Sequence, residues 1–264
     1  MDEIVRADAV EMKMRSLSGI FRQVRNGSVK RISRILVPHF VKVEKADVGL
    51  ELLGNGTGAW AVPTKVIHPE AICYCAGVGI NATLDMALAA KFGCNVYSFD
   101  PTPRSIEYFK SLQYDRTKLQ FLPIGMWSED TQVKFFAPAN PMHVNHSSVD
   151  LHGTGEYFTA ECRRLKTLMA GFGHAHLDLL KLDIEGSWMP VLRDLVASKI
   201  SLSALCVEFD SPTSLRRIRE AVELLARYGL RVVHFQGENF TFVRTDLLTS
   251  AEDDPARKSN PVFA

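Results

Sequence analysis

The chain has 264 residues, 46% hydrophobic and 23% charged, with a formal net charge of +1. That size and balance suit one large soluble α/β domain with short extensions, and they exclude a chain-wide surface for nucleic acid or acidic membranes. No apolar run reaches the roughly 18 residues of a membrane span, and the N-terminus lacks an apolar core with a small-residue cleavage site, so a cytoplasmic protein is expected. The five cysteines (Cys73, Cys75, Cys94, Cys162, Cys206) are odd in number and lie mostly in apolar runs, as buried reduced thiols do.

Residues 1–48 read as a basic helical extension. Between Lys13 and Arg34 there are seven basic residues and no acidic one. Leu17, Ile20, Phe21 and Val24 fall at helical spacing, and Asn26-Gly27 can stop that helix. Such a helix docks most simply on the domain or on a second copy of the chain, with its basic face in water. A clamp for an anionic substrate and a membrane-surface helix are the alternatives.

From about residue 70 apolar strands alternate with amphipathic helices, which predicts a mainly parallel sheet covered on both faces. Ala71 to Cys75 is a strand, Gly77-Val78-Gly79 the turn after it, and Thr83 to Phe92 a helix stopped by Gly93. Asn95 to Phe99 is the second strand. Pro101 and Pro103 then open a helix through Leu112, where their missing N–H groups cost nothing. Leu119 to Leu122 and Gln132 to Phe136 are further strands. Residues 137–156 form the longest loop, rich in Asn, Pro, His, Ser and Gly, and loops of that length are more often functional than idle. Leu177 to Leu182 is a buried strand ending in Asp183-Ile184-Glu185-Gly186, with a helix from about Trp188. Leu205 to Phe209 is a strand, Thr213 to Tyr228 a helix, and Arg231 to Phe235 with Phe240 to Val243 a hairpin about Gly237-Glu238-Asn239. The last strand returns directly, so it must run antiparallel. Residues 49–248 thus read as one domain and 249–264 as a polar tail.

Gly77-Val78-Gly79-Ile80-Asn81-Ala82 fits G-x-G-x-x-G/A, and Asp100 follows about 20 residues on. Glycines let the backbone approach a ligand, and a carboxylate at the second strand's tip can accept ribose hydroxyls. Those two features suit a nucleoside and are neutral between NAD and S-adenosylmethionine.

Later segments separate them. Val96-Tyr97-Ser98-Phe99-Asp100-Pro101-Thr102-Pro103 and Leu179-Leu180-Lys181-Leu182-Asp183-Ile184-Glu185-Gly186 resemble two signatures of the FkbM-type methyltransferase family, F-D-P-T-P or F-E-P and L-K-x-D-I/V-E-G. The resemblance runs from Leu53-Gly54, with Gly58-Ala59-Trp60, to Asn239-Phe240-Thr241-Phe242-Val243-Arg244. It implies a Rossmann-like methyltransferase fold, a mainly parallel seven-stranded sheet with an antiparallel C-terminal hairpin. It also implies S-adenosylmethionine as cofactor and O-methylation of a hydroxyl on a sugar, glycan or other secondary metabolite. The cofactor-binding set it suggests is Ala76, Gly77, Val78, Gly79, Asp85, Phe99, Asp100, Pro101, Thr102, Gly125, Met126 and Asp183. Asp85 matches an Asp of the family's first helix, although a solvated helix carboxylate is an equally simple reading.

Methyl transfer to an alcohol needs alignment, exclusion of water and a base for the acceptor proton. Asp183 and Glu185 end a central strand, where open α/β sheets bind ligands; the alternative for one of them is to cap the next helix. His146, with His143, His152, Ser147 and Ser148 of the long loop, could line an acceptor pocket, so Asp183, Glu185 and His146 form the candidate catalytic set. No metal is expected. His143-x-x-His146 lacks completing ligands, and Asp183, Glu208 and Asp210 read more simply as loop or capping carboxylates than as a Mg²⁺ site. Cys73-x-Cys75 shares one face of a buried strand and reads as packing, and His174-x-His176 as a surface turn. Partners are expected to be a small-molecule or glycan acceptor, with no specific nucleic acid or integral membrane, and the N-terminal extension offers a surface for a second copy. An NAD-linked oxidoreductase and a non-catalytic nucleoside-binding protein stay open as alternatives.

Overall fold

The computed structural model describes residues 40–136, 157–210 and 213–248. The expectations for the N-terminal helix, for the loop carrying His143, His146, Ser147, Ser148 and His152, and for the C-terminal tail fall outside those residues. In chain order the elements are β1 (Leu50–Leu53), β2 (Trp60–Pro63), β3 (Ile72–Ala76), α1 (Thr83–Phe92), β4 (Asn95–Phe99), α2 (Pro103–Ser111), β5 (Leu119–Leu122), β6 (Gly125–Trp127), β7 (Thr131–Phe136) and β8 (Tyr157–Arg164). Then come α3 (Leu165–Phe172), β9 (Leu177–Leu182), α4 (Trp188–Ala197), β10 (Leu202–Glu208), α5 (Leu215–Arg227), β11 (Leu230–Gln236) and β12 (Asn239–Arg244).

Among the described residues seven strands form the main sheet, in the order β11-β12-β10-β9-β3-β4-β5. β10, β9, β3, β4 and β5 pair in parallel, while β12 runs antiparallel to both of its neighbours. The predicted fold class is therefore the observed one. The antiparallel strand follows from the hairpin, whose two-residue turn places Gly237 at φ +66°, a conformation that favours glycine. Phe209 N–H donates to the Glu238 carbonyl at 2.8 Å and anchors that turn beside the end of β10.

Alternation along each strand splits the core between the sheet's two faces. Tyr74, Ala76, Leu180 and Leu182 join one cluster with Trp188 and Leu192 of α4 and Ile218 and Leu225 of α5. Cys73, Cys75 and Leu179 join the other, against Leu84 and Leu88 of α1 and Leu53, Trp60 and Val62 of the β1–β2 hairpin. Burying both faces is why β9 is buried along its whole length. All five cysteines are buried free thiols, in keeping with a packing role.

α2 starts as the sequence predicts. Thr102 is its N-cap, accepting from Ser105 N–H, and Pro103 takes the first turn. Five elements were not expected: β1, β2, β6, β8 and α3. β8 joins β6 and β7 in a second, three-stranded sheet, and α3 follows it directly. The β1–β2 hairpin lies over the second face, where Thr241 Oγ1 donates to the Ala61 carbonyl at 2.7 Å. Among the described residues no helix is long and apolar enough to cross a membrane.

Candidate active site

The C-terminal ends of β3, β4, β9 and β10 open into a cleft of about 1050 Å³. Cavities that hold one small molecule run to roughly 300–1,000 Å³, so there is room for a cofactor and part of an acceptor. One wall is Gly77-Val78-Gly79 with Phe99, Asp100, Pro101 and Thr102, and Gly125 and Met126 lie on the same side. Lys181, Asp183, Ile184, Glu185 and Glu208 form the centre. The hairpin supplies His234, Gln236, Glu238 and Asn239, and the β1–β2 connection supplies Gly56 to Ala59.

Gly77 is required by packing. Its φ is +78°, and a Cβ added there would lie 1.6 Å from the Asp183 carbonyl oxygen. The chain leaving β3 and the chain leaving β9 therefore touch backbone to backbone, which only glycine permits. Asp183 N–H also donates to the Ala76 carbonyl at 3.0 Å, fixing one against the other.

Asp100 is buried at the tip of β4, and its carboxylate holds the turn. One oxygen accepts Val78 N–H at 3.0 Å and Gly79 N–H at 2.8 Å. The other accepts Thr102 N–H at 2.8 Å and Thr102 Oγ1 at 2.6 Å. A carboxylate offers about four acceptor positions, and these four bonds fill them. Asp100 therefore braces the glycine turn. Asp100→Asn turns an NH₂ group or a single oxygen toward two pairs of donors, and should lower unfolding free energy in urea by about 2–4 kcal/mol. Unchanged stability would contradict the bracing role.

Asp85 corrects both of its sequence readings. It is neither solvated nor in the cleft: it is 3% exposed on α1 and accepts a hydrogen bond from Ser98. Burial raises its pKa, only partly offset by the Ser98 hydroxyl and by the charge of Lys181. Its influence on the site runs through that lysine.

Lys181 is one of two charged residues, with Asp178, in the buried strand β9. Its ammonium donates to the Gly77 carbonyl and, at 3.2 Å, to Asp183 Oδ2, and it lies 5.5 Å from the Trp60 ring centroid. Burial works against this charge, but the carboxylates of Asp183 and Asp85 outweigh it and hold the pKa above the ordinary lysine value. Lys181 therefore ties the turn to the carboxylate that faces the cleft.

Three further carboxylates surround Asp183. Asp210 accepts Gly186 N–H with both oxygens, at 2.9 and 2.8 Å, and so holds the turn that precedes α4; burial pushes its pKa up to about 6 despite those bonds. Glu185 lines the cleft at φ +39°, a strained conformation for a side-chain-bearing residue. Glu208 stands beside Asp183 at the end of the neighbouring strand, and burial first, then the Asp183 charge, push its pKa up to about 9. Among the described residues no group of three or more His, Cys, Asp or Glu is placed to hold a metal ion.

The structure thus brings together the glycine turn, Phe99 to Thr102, Gly125, Met126, Asp183 and Glu185 around the cleft, keeps Ala76 buried behind the turn, and leaves Asp85 beneath the site. His174 and His176 precede β9, at the opposite end of the strand from Asp183; His174 Nδ1 bonds Tyr74 Oη at 2.9 Å and His176 bonds Ser201 and Ser203. Lys181 and the hairpin residues were not anticipated as site residues, although Lys181 stands in the L-K-x-D motif two positions from Asp183. That spacing on a strand puts both side chains on one face.

A family model described as the methyltransferase FkbM domain matches residues 75–232. The chain belongs to the FkbM methyltransferase family. Its match spans β3 to β11, so it contains the glycine turn, Asp100, Lys181, Asp183 and Glu208. As a family member it is an S-adenosylmethionine-dependent methyltransferase, with the Rossmann-like arrangement described above. That removes the NAD-linked reading.

Solved structures with a similar chain path include the fibrillarin pre-rRNA processing protein of Methanococcus jannaschii, 12% identical over 78% of this chain and 87% of that one, with a TM-score of 0.40. A TehB-like SAM-dependent methyltransferase from Corynebacterium glutamicum is 16% identical over 66% and 80% of the two chains, with a TM-score of 0.34. Aeropyrum pernix fibrillarin, solved with natively bound S-adenosyl-L-methionine, is 11% identical over 68% and 67%, with a TM-score of 0.39. A comparison with curated proteins found no match.

Proposed function

We propose that this methyltransferase acts on oxygen, transferring the methyl group to a hydroxyl of a sugar, glycan or similar polyol. The observation that carries this reading is Asp183, a carboxylate 27% exposed in the cleft, with Lys181 bonded to it and Glu208 beside it. An alcohol must lose its proton as it is methylated, and a positioned anion is the group that takes it. The hairpin's Gln236 and Asn239 amides and His234 line the same cleft and suit the hydrogen-bonding groups of a polyol.

The cofactor's place is proposed over the Gly77-Val78-Gly79 turn, between Phe99-Asp100-Pro101-Thr102 and Gly125-Met126. The open turn and the cleft volume fit a nucleoside there. Bound S-adenosylmethionine supplies an activated methyl group on a sulfonium. Asp183 would take the proton of the acceptor hydroxyl. Lys181 keeps Asp183 anionic and pointed into the cleft. Glu185 is placed to hold the acceptor on the other side. The three-part division into residues 1–48, 49–248 and 249–264 and a role for His146 belong to the same proposal. Pairing of two copies through the basic N-terminal segment belongs to it as well.

The test is transfer of isotopically labelled methyl from S-adenosylmethionine to a panel of monosaccharides, polyols, carboxylic acids and amines. The expected product is an alkali-stable methyl ether on a polyol. Methylation confined to acids or amines would overturn the O-methylation reading, and binding without any turnover would favour a non-catalytic nucleoside-binding protein.

A further inference from the structure

β9 and β10 are parallel neighbours with Leu182 opposite Val207, so Asp183 and Glu208, one residue further on, leave the two strand ends side by side. Both line the cleft, and paired residues of parallel neighbours turn to the same face of the sheet. Two carboxyl groups held side by side can bond to each other only if one carries a proton. We propose that Asp183 and Glu208 act as one proton-sharing pair, with Glu208 donating its proton to Asp183 so that Asp183 stays an anion facing the acceptor. This rests on the reading of Asp183 as the group that takes the acceptor proton.

The charges around the pair decide which member holds the proton. On β9, Lys181 lies 3.2 Å from Asp183 and stabilises its negative charge. Around Glu208 stand the carboxylates of Asp183, Glu185 and Asp210, each disfavouring a further charge there. From the hairpin, His234 and Glu238 face the same cleft. The proton therefore sits on Glu208 and the charge on Asp183, as in a dyad whose two acids are pushed apart by their surroundings.

The pair has a mechanical and a chemical consequence. The O–H of Glu208 fixes the Asp183 carboxylate from one side while the Lys181 ammonium fixes it from the other. When Asp183 takes the acceptor proton, the pair holds two protons, and one leaves to water through the open cleft. Glu208 is thus a positioning residue acting through Asp183, and it needs its proton rather than its charge.

Glu208→Gln preserves a donor to Asp183 and Glu208→Ala removes it. The expected result at neutral pH is kcat within about threefold of the wild type for the glutamine variant and at least about tenfold lower for the alanine variant, with KM for S-adenosylmethionine little changed in both. Equal loss in both variants would overturn the proposal, because it would mean the ionised carboxylate is needed; wild-type kcat in the alanine variant would overturn it too.

A second measurement does not depend on any acceptor. A carboxyl whose folded pKa is raised keeps its proton after the unfolded chain has lost it, so its contribution to stability is present below the unfolded value of 4.5 and is lost as pH rises toward about 9. Glu208→Gln removes that loss. Its melting temperature relative to the wild type should therefore rise by at least about 4 °C between about pH 6 and pH 9. A pH-independent difference would place no proton on Glu208 and overturn the pair. A pH-dependent difference without turnover of any polyol would leave the pair standing and count against the O-methylation reading.

Discussion

Asp183→Asn should lower kcat for methyl transfer about 10²–10⁴-fold, the range general-base removal produces. The substitution is nearly isosteric, so Ile184, Glu185 and Gly186 should keep their places and the Ala76 carbonyl its bond from the backbone N–H of residue 183. What is lost is basicity. An amide oxygen can still accept from Glu208 and from Lys181, which lies 3.2 Å away. It cannot take a proton from an alcohol at neutral pH. The affinity for S-adenosylhomocysteine should then change far less than kcat. If affinity falls by the same factor while kcat at saturation is kept, Asp183 is a cofactor ligand and the base lies elsewhere.

Gly77→Ala should cost about 3–5 kcal/mol of stability in urea unfolding, from a left-handed backbone and a steric overlap acting together. The overlap is with the Asp183 carbonyl, 1.6 Å from the added Cβ, so relief requires the ends of β3 and β9 to part. Those two ends carry the turn and the candidate base, so cofactor affinity should fall with stability. Gly93→Ala is the matched control. Its φ is +64°, but nothing lies within 4 Å of the added carbon, so only the conformational cost of about 1–2 kcal/mol applies. Equal costs at the two positions would contradict the close approach of the strand ends.

The fold was legible wherever burial imposes a period. β3, β4, β9 and β10 are short apolar runs because both faces of the sheet are covered, and the hairpin announced itself through Gly237-Glu238. β8 escaped because its run, Tyr157-Phe158-Thr159-Ala160-Glu161-Cys162-Arg163-Arg164, carries three charges and buries only Cys162 fully. Its order comes from pairing with β6 and β7, which no local pattern reveals. β1 and β2 are four residues each and gain their shape from each other.

The site was legible in its motifs and less so in its roles. Asp100 and Asp183 stand where strand-end carboxylates were expected. That Asp100 is spent on Val78, Gly79 and Thr102 depends on how the turn curls back, a tertiary fact. Asp85 looks like any helix carboxylate until Ser98 of β4 is placed against it. Glu208 became a partner of Asp183 only through the adjacency and parallel register of β9 and β10, two strands whose relevant ends are 25 positions apart in the chain.

Calorimetric titration of the full chain with S-adenosylhomocysteine tests the central claim most directly, since every role assigned above depends on a nucleoside lying over the Gly77 turn. The account predicts saturable binding at one site, retained by Asp183→Asn and weakened by Gly77→Ala. Absence of binding, or binding that Gly77→Ala leaves untouched, would contradict it.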